Sequence, residues 1–364
     1  MTDRTDMPRP RDGILDIAAY VPGKSGGSGE GKVHKLSSNE SPLGPSPAAM
    51  QAYAECMQNL ALYPDGGSGA LREALAETFG INPANIVCGA GSDELLQLLA
   101  SGYLQPGDEA IHTEHGFLVY PIVIRANGAT PVVVAENNLT ADIDAILGAV
   151  TSRTRMVFLA NPNNPTGTWV GEDALVQFLD ALPEHVWMVL DEAYFEYVEA
   201  DSYPDGIRLL ERYPNLIVTR TFSKIYGLAA LRVGYAVSSP YVAELLNRAR
   251  QPFNVNALAL AGAEAALQDS AYVEQSRRLN ASGMAQVTQG LTALGLNFIP
   301  SLGNFLSFAV PESAAALDVY NALLREGVIV RPIAEYGLPG HLRATIGLPE
   351  ENARFLEALG RVLS

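Results

Sequence analysis

Short apolar segments in which polar and apolar residues do not alternate constrain the fold of this chain more than any other feature. A strand with one face in solvent alternates, so these segments indicate strands buried on both faces, as in a parallel sheet covered by helices. The strongest are residues 155–160 (RMVFLA), 186–190 (VWMVL), 215–219 (NLIVT) and 233–237 (VGYAV), and weaker ones lie at 109–112 and 130–135. Helical patterns between several of them predict an α/β architecture.

The C-terminal part of the chain has a different pattern. Long helical stretches come first, and they are followed by the strand-like segments LNFIP, NFLSFAV, GVIVRP and LRATIG. This order predicts a second, smaller α+β domain. At about 150 residues per domain, a chain of 364 residues also favours two domains.

Acidic residues outnumber basic ones, which limits the possible partners. Lys and Arg number 24 and Asp and Glu 40, so the formal charge is −16. This excess argues against binding to nucleic acid or to anionic membranes. Binding of a small anionic substrate is still compatible with this net negative charge, because a local pair of arginines can bind such a molecule.

The location is predicted from the cysteines and from the apolar segments. Cys56 and Cys88 cannot form a disulfide framework, which is typical of a reducing compartment. No segment is apolar enough to span a membrane, and the first residues lack the apolar core of a signal peptide. We therefore predict a cytoplasmic protein. We also predict no bound metal, because none of the histidines pairs with Cys or Glu at metal-ligand spacing.

Two turns that follow predicted strands have the composition of ligand-binding loops. Residues 89–94 (GAGSDE) open a helix, whose free N–H groups and positive dipole end favour an anion such as phosphate. A simple turn capped by Ser92 or Asp93 is the alternative. Residues 161–167 (NPNNPTG) form a rigid turn at the carboxyl end of a strand, where open α/β sheets bind ligands.

A buried acid and a buried lysine complete the set of candidate groups. Asp191 directly follows the buried segment VWMVL. A buried carboxylate is costly unless a cation pairs with it. Asp191 therefore either forms a structural ion pair or binds a protonated heterocycle. Lys224 lies among small and apolar residues and can act as a nucleophile or base, and Arg232 can reach a phosphate. Pyridoxal 5'-phosphate (PLP) is a cofactor that needs such a lysine, an acid, an oxyanion donor and a phosphate site.

The sequence resembles the fold-type I PLP enzymes, and within them the histidinol-phosphate aminotransferase family and its aromatic aminotransferase relatives. The similarity runs from about residue 20 to 347, over YVPGK, SSNESPLGPSP, YPDGG, GAGSDEL, NPNNPTG, DEAY, TFSKIYGLAALRVGY, QPFNVN and LRATIG. It implies a large PLP-binding domain (39–255) with a mostly parallel, seven-stranded sheet sandwiched by helices. It also implies a small α+β domain (256–364) and an N-terminal arm (1–38) that joins the small domain or the dimer partner.

The resemblance implies a role for each motif residue. Lys224 is similar to the lysine that binds PLP covalently and moves the proton between Cα and C4′, and Asp191 to the partner of the pyridinium nitrogen. Asn164 and Tyr194 are similar to the pair that binds the phenolate oxygen. The other implied cofactor contacts are the backbone of Ser92 and Asp93, Ser223 and Arg232 at the phosphate, Phe117 stacked on the ring, and Tyr63 from the partner subunit of a homodimer. His115 stands where many members have a different segment, and it is interpreted as structural.

The substrate residues follow from the same resemblance. Arg343 is similar to the arginine that binds the α-carboxylate of the substrate. Histidinol phosphate carries a phosphate ester there, which favours extra donors, and Arg331, Tyr20 and Asn164 lie where the family places substrate contacts. The implied reaction is transamination between histidinol phosphate and 2-oxoglutarate, in histidine biosynthesis. The alternatives are a phenylalanine or tyrosine aminotransferase, an amino-acid-phosphate decarboxylase and a non-catalytic PLP-fold binding module.

Three residues near these motifs have two interpretations each. Tyr120, three residues after Phe117, contacts the substrate imidazole or packs against a neighbouring helix. Phe253 and Asn254 in QPFNVN lie at the mouth of the substrate site or cap the helix that begins near Asn256.

Overall fold

The structure is a computed structural model that describes residues 10–19 and 33–364. Its strands are β1 (His34–Lys35), β2 (Ile86–Gly89), β3 (Glu109–Thr113), β4 (Thr130–Val134), β5 (Glu136–Asn137), β6 (Thr140–Ala141), β7 (Thr154–Ala160), β8 (Trp187–Asp191), β9 (Leu216–Thr221), β10 (Gly234–Val237), β11 (Phe298–Ile299), β12 (Phe305–Ala309), β13 (Val328–Ile329), β14 (Arg331–Pro332) and β15 (His341–Thr345). Its α-helices are α1 (Pro47–Cys56), α2 (Gly69–Phe79), α3 (Ser92–Tyr103), α4 (Val119–Ala126), α5 (Ile143–Gly148), α6 (Glu172–Ala181), α7 (Gly206–Leu209), α8 (Pro240–Ala249), α9 (Ala257–Gln268), α10 (Ser270–Ala293), α11 (Ala316–Arg325) and α12 (Pro349–Leu363). None of the helices in the described ranges is long and apolar enough to cross a membrane.

A seven-stranded sheet forms the centre of the larger part of the molecule. Its order is β2-β10-β9-β8-β7-β3-β4. All neighbours are parallel except β10, which runs antiparallel to both β2 and β9. Neighbouring residues of one strand, such as Val189 and Leu190 on β8, belong to apolar cores on opposite faces of the sheet. The mostly parallel sheet with both faces buried is therefore confirmed.

One predicted strand is not buried as expected. The segment 130–135 lacks alternation, which predicted two buried faces, but β4 pairs only with β3 and forms an edge of the sheet. Val133 on this strand is 54% exposed. The prediction is wrong here because β-branched composition records a preference for strand geometry and does not record the position of the strand within the sheet.

A smaller α+β region follows, as predicted. Strands β11, β12, β15 and β14 form an antiparallel sheet, while β1 pairs in parallel with β13. A separate apolar core, which includes Leu306, Phe308 and Phe355, lies between this sheet and helices α11 and α12. Helix α9 packs instead on α1 and α2. The boundaries at 38/39 and 255/256 stay predictions.

The parallel strands bring the motifs together. Strands β7, β8 and β9 end at Ala160, Asp191 and Thr221, at the same edge of the sheet. The segments that follow these strands are NPNNPTG, EAY and FSK, so their polar residues meet outside the carboxyl ends, where open α/β sheets bind ligands. The small antiparallel sheet approaches the same place, since Arg343 on β15 contacts Asn164.

Candidate active site

One pocket brings together most of the predicted site residues. It lies between the carboxyl edge of the large sheet and the small sheet. The predicted residues that line it are Ser92, Asp93, Phe117, Asn164, Asp191, Tyr194, Ser223, Lys224, Arg232, Arg331 and Arg343. Tyr20 lies outside the described residues. Tyr63 is described, but it does not belong to the lining residues of this pocket.

The first turn of α3 and Arg232 form an anion site at one end of the pocket. Helix α3 begins at Ser92, and its N-cap is Gly91, which provides no side-chain cap. The alternative of a cap by Ser92 or Asp93 is therefore wrong, and the first N–H groups of the helix have no partner within it. Arg232 donates from Nη1 to Ser223 Oγ at 3.1 Å and from Nη2 to Asp93 Oδ2 at 3.1 Å.

Glycine at position 91 is required by this arrangement. Gly91 has a φ of +88°, and a Cβ atom there would lie 2.5 Å from Arg232 Nη2. Only a residue without a side chain therefore leaves room for the guanidinium beside the helix N-terminus. The combination of N–H groups, a hydroxyl and a guanidinium is suited to a phosphate.

Asp191 is a buried carboxylate held by two hydroxyl groups. Tyr120 Oη donates to Asp191 Oδ2 at 2.9 Å, and Thr219 Oγ1 donates to Asp191 Oδ1 at 3.1 Å. Burial raises the pKa of Asp191 to about 6, whereas both hydrogen bonds and the charge of Lys224 oppose that increase. A cation placed beside this carboxylate would be stabilised, because the buried negative charge has lost its hydration.

Lys224 and Tyr194 line the same pocket, and the Tyr194 ring packs edge-on against Phe305 on β12 of the small sheet. The Nζ atom of Lys224 is 5.6 Å from the centre of the Tyr194 ring. Tyr194 is buried and its Oη accepts a hydrogen bond from Asn39 Nδ2 at 2.9 Å, while the Asn39 backbone N–H donates to Thr345 Oγ1 at 2.9 Å. The Tyr194 hydroxyl is thus oriented by a residue of the N-terminal segment that is itself attached to β15.

Two arginines of the small sheet enter the same pocket side by side. Arg331 on β14 and Arg343 on β15 are direct cross-strand partners, and they are only 7% and 6% exposed. Arg331 Nη2 lies 3.1 Å from Glu335 Oε2, and Arg343 donates to the Ser37 carbonyl at 3.0 Å and to Asn164 Oδ1. Like charges opposite each other on neighbouring strands repel, and Glu335 offsets part of this repulsion. A ligand with two negative charges would offset the rest.

Sequence reasoning missed some residues of the site and left others open. Tyr120 binds Asp191, and its spacing of three from Phe117, which it meets edge-on, was the available signal. The polar residues of the segment 37–39 open the motif SSNESPLGPSP, but the sequence assigned no site role to them. Asn256, and not Asn254, caps α9 by accepting from the Ala259 N–H at 2.8 Å. His115 is buried with Nδ1 2.9 Å from Glu136 Oε2, which agrees with a structural interpretation.

The comparison with known proteins agrees with this geometry. The family model described as aminotransferase class I and II matches residues 31–359. The chain belongs to the class I and II aminotransferases. The resemblance noted in the sequence is thereby confirmed, and so is the fold type.

Curated relatives and solved structures narrow the position of this aminotransferase within the family. The chain is 53% identical to histidinol-phosphate aminotransferase 2 of Pseudomonas fluorescens, over 97% of this chain and 96% of the relative. It is also 53% identical to the protein of the same name from Pseudomonas aeruginosa, over the full length of both. Among solved structures, it is similar to the histidinol-phosphate aminotransferase of Sinorhizobium meliloti in complex with PLP, with a TM-score of 0.87, 31% identity and 91% of each chain covered.

The residues present fit the cofactor of this family of aminotransferases, which is PLP. The anion site at Gly91 and Arg232 suits a phosphate, and the carboxylate of Asp191 suits a protonated ring nitrogen. Lys224 supplies an amino group and Phe117 an aromatic face in the same pocket. The individual assignments stay predictions.

Proposed function

We propose that this aminotransferase transfers the amino group of histidinol phosphate to 2-oxoglutarate, forming imidazole-acetol phosphate and glutamate, in cytoplasmic histidine biosynthesis with PLP as cofactor. The observation that carries the choice of substrate is the buried cross-strand pair Arg331 and Arg343. A phosphate monoester bears up to two negative charges, whereas the α-carboxylate of an aromatic amino acid bears one. The names of the relatives in Pseudomonas support the same substrate.

The roles of the residues follow from their positions. PLP supplies an aldehyde that combines with amino groups and an electron-accepting ring. Asp191 keeps a proton on the ring nitrogen, Lys224 Nζ holds the cofactor and moves the proton of the donor Cα, and Arg232 with Ser223 binds the cofactor phosphate. Arg343 binds the phosphate of the donor in one half-reaction and the α-carboxylate of 2-oxoglutarate in the other.

The proposed active enzyme is a homodimer with shared sites. Tyr63 is 82% exposed and is not a lining residue of the pocket of its own subunit. It lies beside other exposed apolar residues, among them Leu60 and Leu62. A cluster of this kind on an acidic protein is suited to an interface with a second copy. In the dimer, Tyr63 reaches the cofactor phosphate of the partner subunit.

The substrate is tested by comparing amino donors in the wild type and in Arg331→Gln. We expect the wild type to have the higher kcat/KM for histidinol phosphate than for phenylalanine or tyrosine. Loss of one charged donor should lower kcat/KM for histidinol phosphate by about ten-fold or more. The effect on phenylalanine should be much smaller, because Arg343 alone can bind a single carboxylate.

The matched control is Arg325→Gln, which removes an exposed arginine at the end of α11. This variant should behave as the wild type with both donors. If Arg331→Gln lowers kcat/KM equally for both donors, Arg331 does not select the phosphate. If the wild type has the higher kcat/KM for phenylalanine, the aromatic aminotransferase is the better assignment.

A further inference from the structure

Residues outside the pocket fix the turn that presents the phosphate-binding N–H groups. The Ala90 N–H donates to Glu94 Oε2 at 2.5 Å, and the Gly91 N–H donates to the Gly89 carbonyl at 2.8 Å. These two N–H groups are therefore used within the turn. The next two, of Ser92 and Asp93, begin α3 beside the pocket.

Asn254 connects this turn to a different part of the chain. Its Nδ2 donates to Glu94 Oε2 at 2.7 Å and to the Cys88 carbonyl at 3.2 Å, so one amide group contacts both sides of the turn. Its Oδ1 accepts from Arg250 Nη1 at 3.1 Å, which fixes the orientation of the amide. Without these donors, the Glu94 carboxylate would be less constrained. It lies beside the anion site and would repel a bound phosphate, because both groups are negative.

We propose that Asn254 is a positioning residue for the cofactor phosphate, acting through Glu94 and the Cys88 carbonyl on the turn 88–92. It is not among the residues that line the pocket. Its effect is to hold the Ser92 and Asp93 N–H groups in the direction of the phosphate. The inference rests on the proposed use of PLP.

The same segment also holds the loop of Tyr63. Arg250 Nη2 donates to the Gly66 carbonyl at 2.5 Å, and Phe253 stacks on Tyr63 with ring centres 4.7 Å apart. The segment 250–254 thus contacts both the phosphate turn of its own subunit, through Asn254, and the residue assigned to the partner's phosphate, through Phe253. Both contacts therefore concern a cofactor phosphate: the turn binds the one of its own subunit, and Tyr63 is assigned to the one of the partner subunit.

The test compares PLP with pyridoxal, which lacks the phosphate. In Asn254→Ala we expect the dissociation constant of PLP from the cofactor-free protein to rise about ten-fold, on the scale of a hydrogen bond to a charged group. The dissociation constant of pyridoxal should not change, because no phosphate is bound. Both constants come from equilibrium titration followed by absorbance, without any measurement of turnover.

Asn215→Ala is the matched control, because Asn215 Nδ2 also donates to a backbone carbonyl, that of Val186, at 3.0 Å and far from the pocket. It should leave both constants at the wild-type values. An equal loss of PLP and pyridoxal affinity in Asn254→Ala would show a general structural effect and overturn the proposal, and so would unchanged PLP affinity. A wild type that binds the two compounds equally well would instead refute the phosphate site itself.

A second variant of similar size keeps the proposal testable if Asn254→Ala does not fold. Asn254→Asp places a carboxylate against Glu94 and should weaken PLP binding at least as much. The new carboxylate can donate neither to Glu94 nor to the Cys88 carbonyl, so the dissociation constant of pyridoxal should again stay unchanged while that of PLP rises. Wild-type PLP affinity in Asn254→Asp would contradict a role of the Asn254 amide.

Discussion

At the scale of single residues, the ionisation of Asp191 depends on its hydroxyl donors. Burial raises the pKa of this carboxyl to about 6, and the hydrogen bonds from Tyr120 and Thr219 limit the increase because they stabilise the charged form. A carboxylate that must hold a proton on a ring nitrogen has to be ionised at the working pH. Tyr120 therefore acts on the chemistry through Asp191.

Tyr120→Phe should move the acid limb of the pH profile. Removing the donor raises the pKa of Asp191 further, so a higher pH is needed to ionise it, and activity should be lost at a higher pH than in the wild type. The pH dependence of kcat/KM measures this shift, because it reports the ionisable groups of the free enzyme. Tyr241→Phe, at an exposed position on α8, is the control. An unmoved acid limb in Tyr120→Phe would contradict the assignment.

At the scale of elements, the packing of β10 against α3 sets the position of the phosphate turn. A Cβ atom at Gly234 on β10 would lie 2.6 Å from the Ser92 nitrogen and 2.9 Å from the Arg220 oxygen. These are backbone atoms, which cannot rotate away. The close approach of the strand to the first turn of the helix therefore requires glycine at this position.

Gly234→Ala should weaken PLP binding although Gly234 does not line the pocket. The added methyl group must displace the first turn of α3, and we expect the dissociation constant of PLP to rise about ten-fold, with a lower melting temperature. Gly102→Ala is the control near the other end of α3, where a Cβ atom meets nothing within 4 Å. That change should stabilise the protein by about 0.5–1 kcal/mol and leave PLP binding unchanged. Wild-type PLP affinity in Gly234→Ala would show that the turn can shift without cost.

Much of the large sheet and of the pocket could be predicted because each motif directly follows a buried strand. Once β7, β8 and β9 are parallel, Asn164, Asp191 and Lys224 must meet at one edge. The contact of Tyr120 with Asp191 was not predictable, since it depends on how α4 is rotated over the sheet. The pairing of Arg331 with Arg343 depends on strand register, and neither local composition nor spacing along the chain determines register.

At the scale of the whole molecule, the proposed dimer means that each subunit carries only part of a site. Tyr63→Phe removes one hydrogen bond, so PLP binding to the variant homodimer should weaken by about 1 kcal/mol, or roughly five-fold. Mixed dimers of Tyr63→Phe with Lys224→Ala subunits test the origin of Tyr63. Their one site with an intact Lys224 receives Tyr63 from the partner, so it should bind PLP with wild-type affinity. A mixed dimer as weak as the Tyr63→Phe homodimer would place Tyr63 in its own subunit's site.

The side-by-side arginines of the small sheet also bear on how the protein is handled. Arg331 and Arg343 are held together by the pairing of β14 with β15. Any anion that binds between them binds the folded state and not the unfolded chain, so it stabilises the protein by mass action. Sulfate and inorganic phosphate have the right charge, and they would compete with the substrate. Phosphate buffer would therefore raise the melting temperature and the apparent KM together.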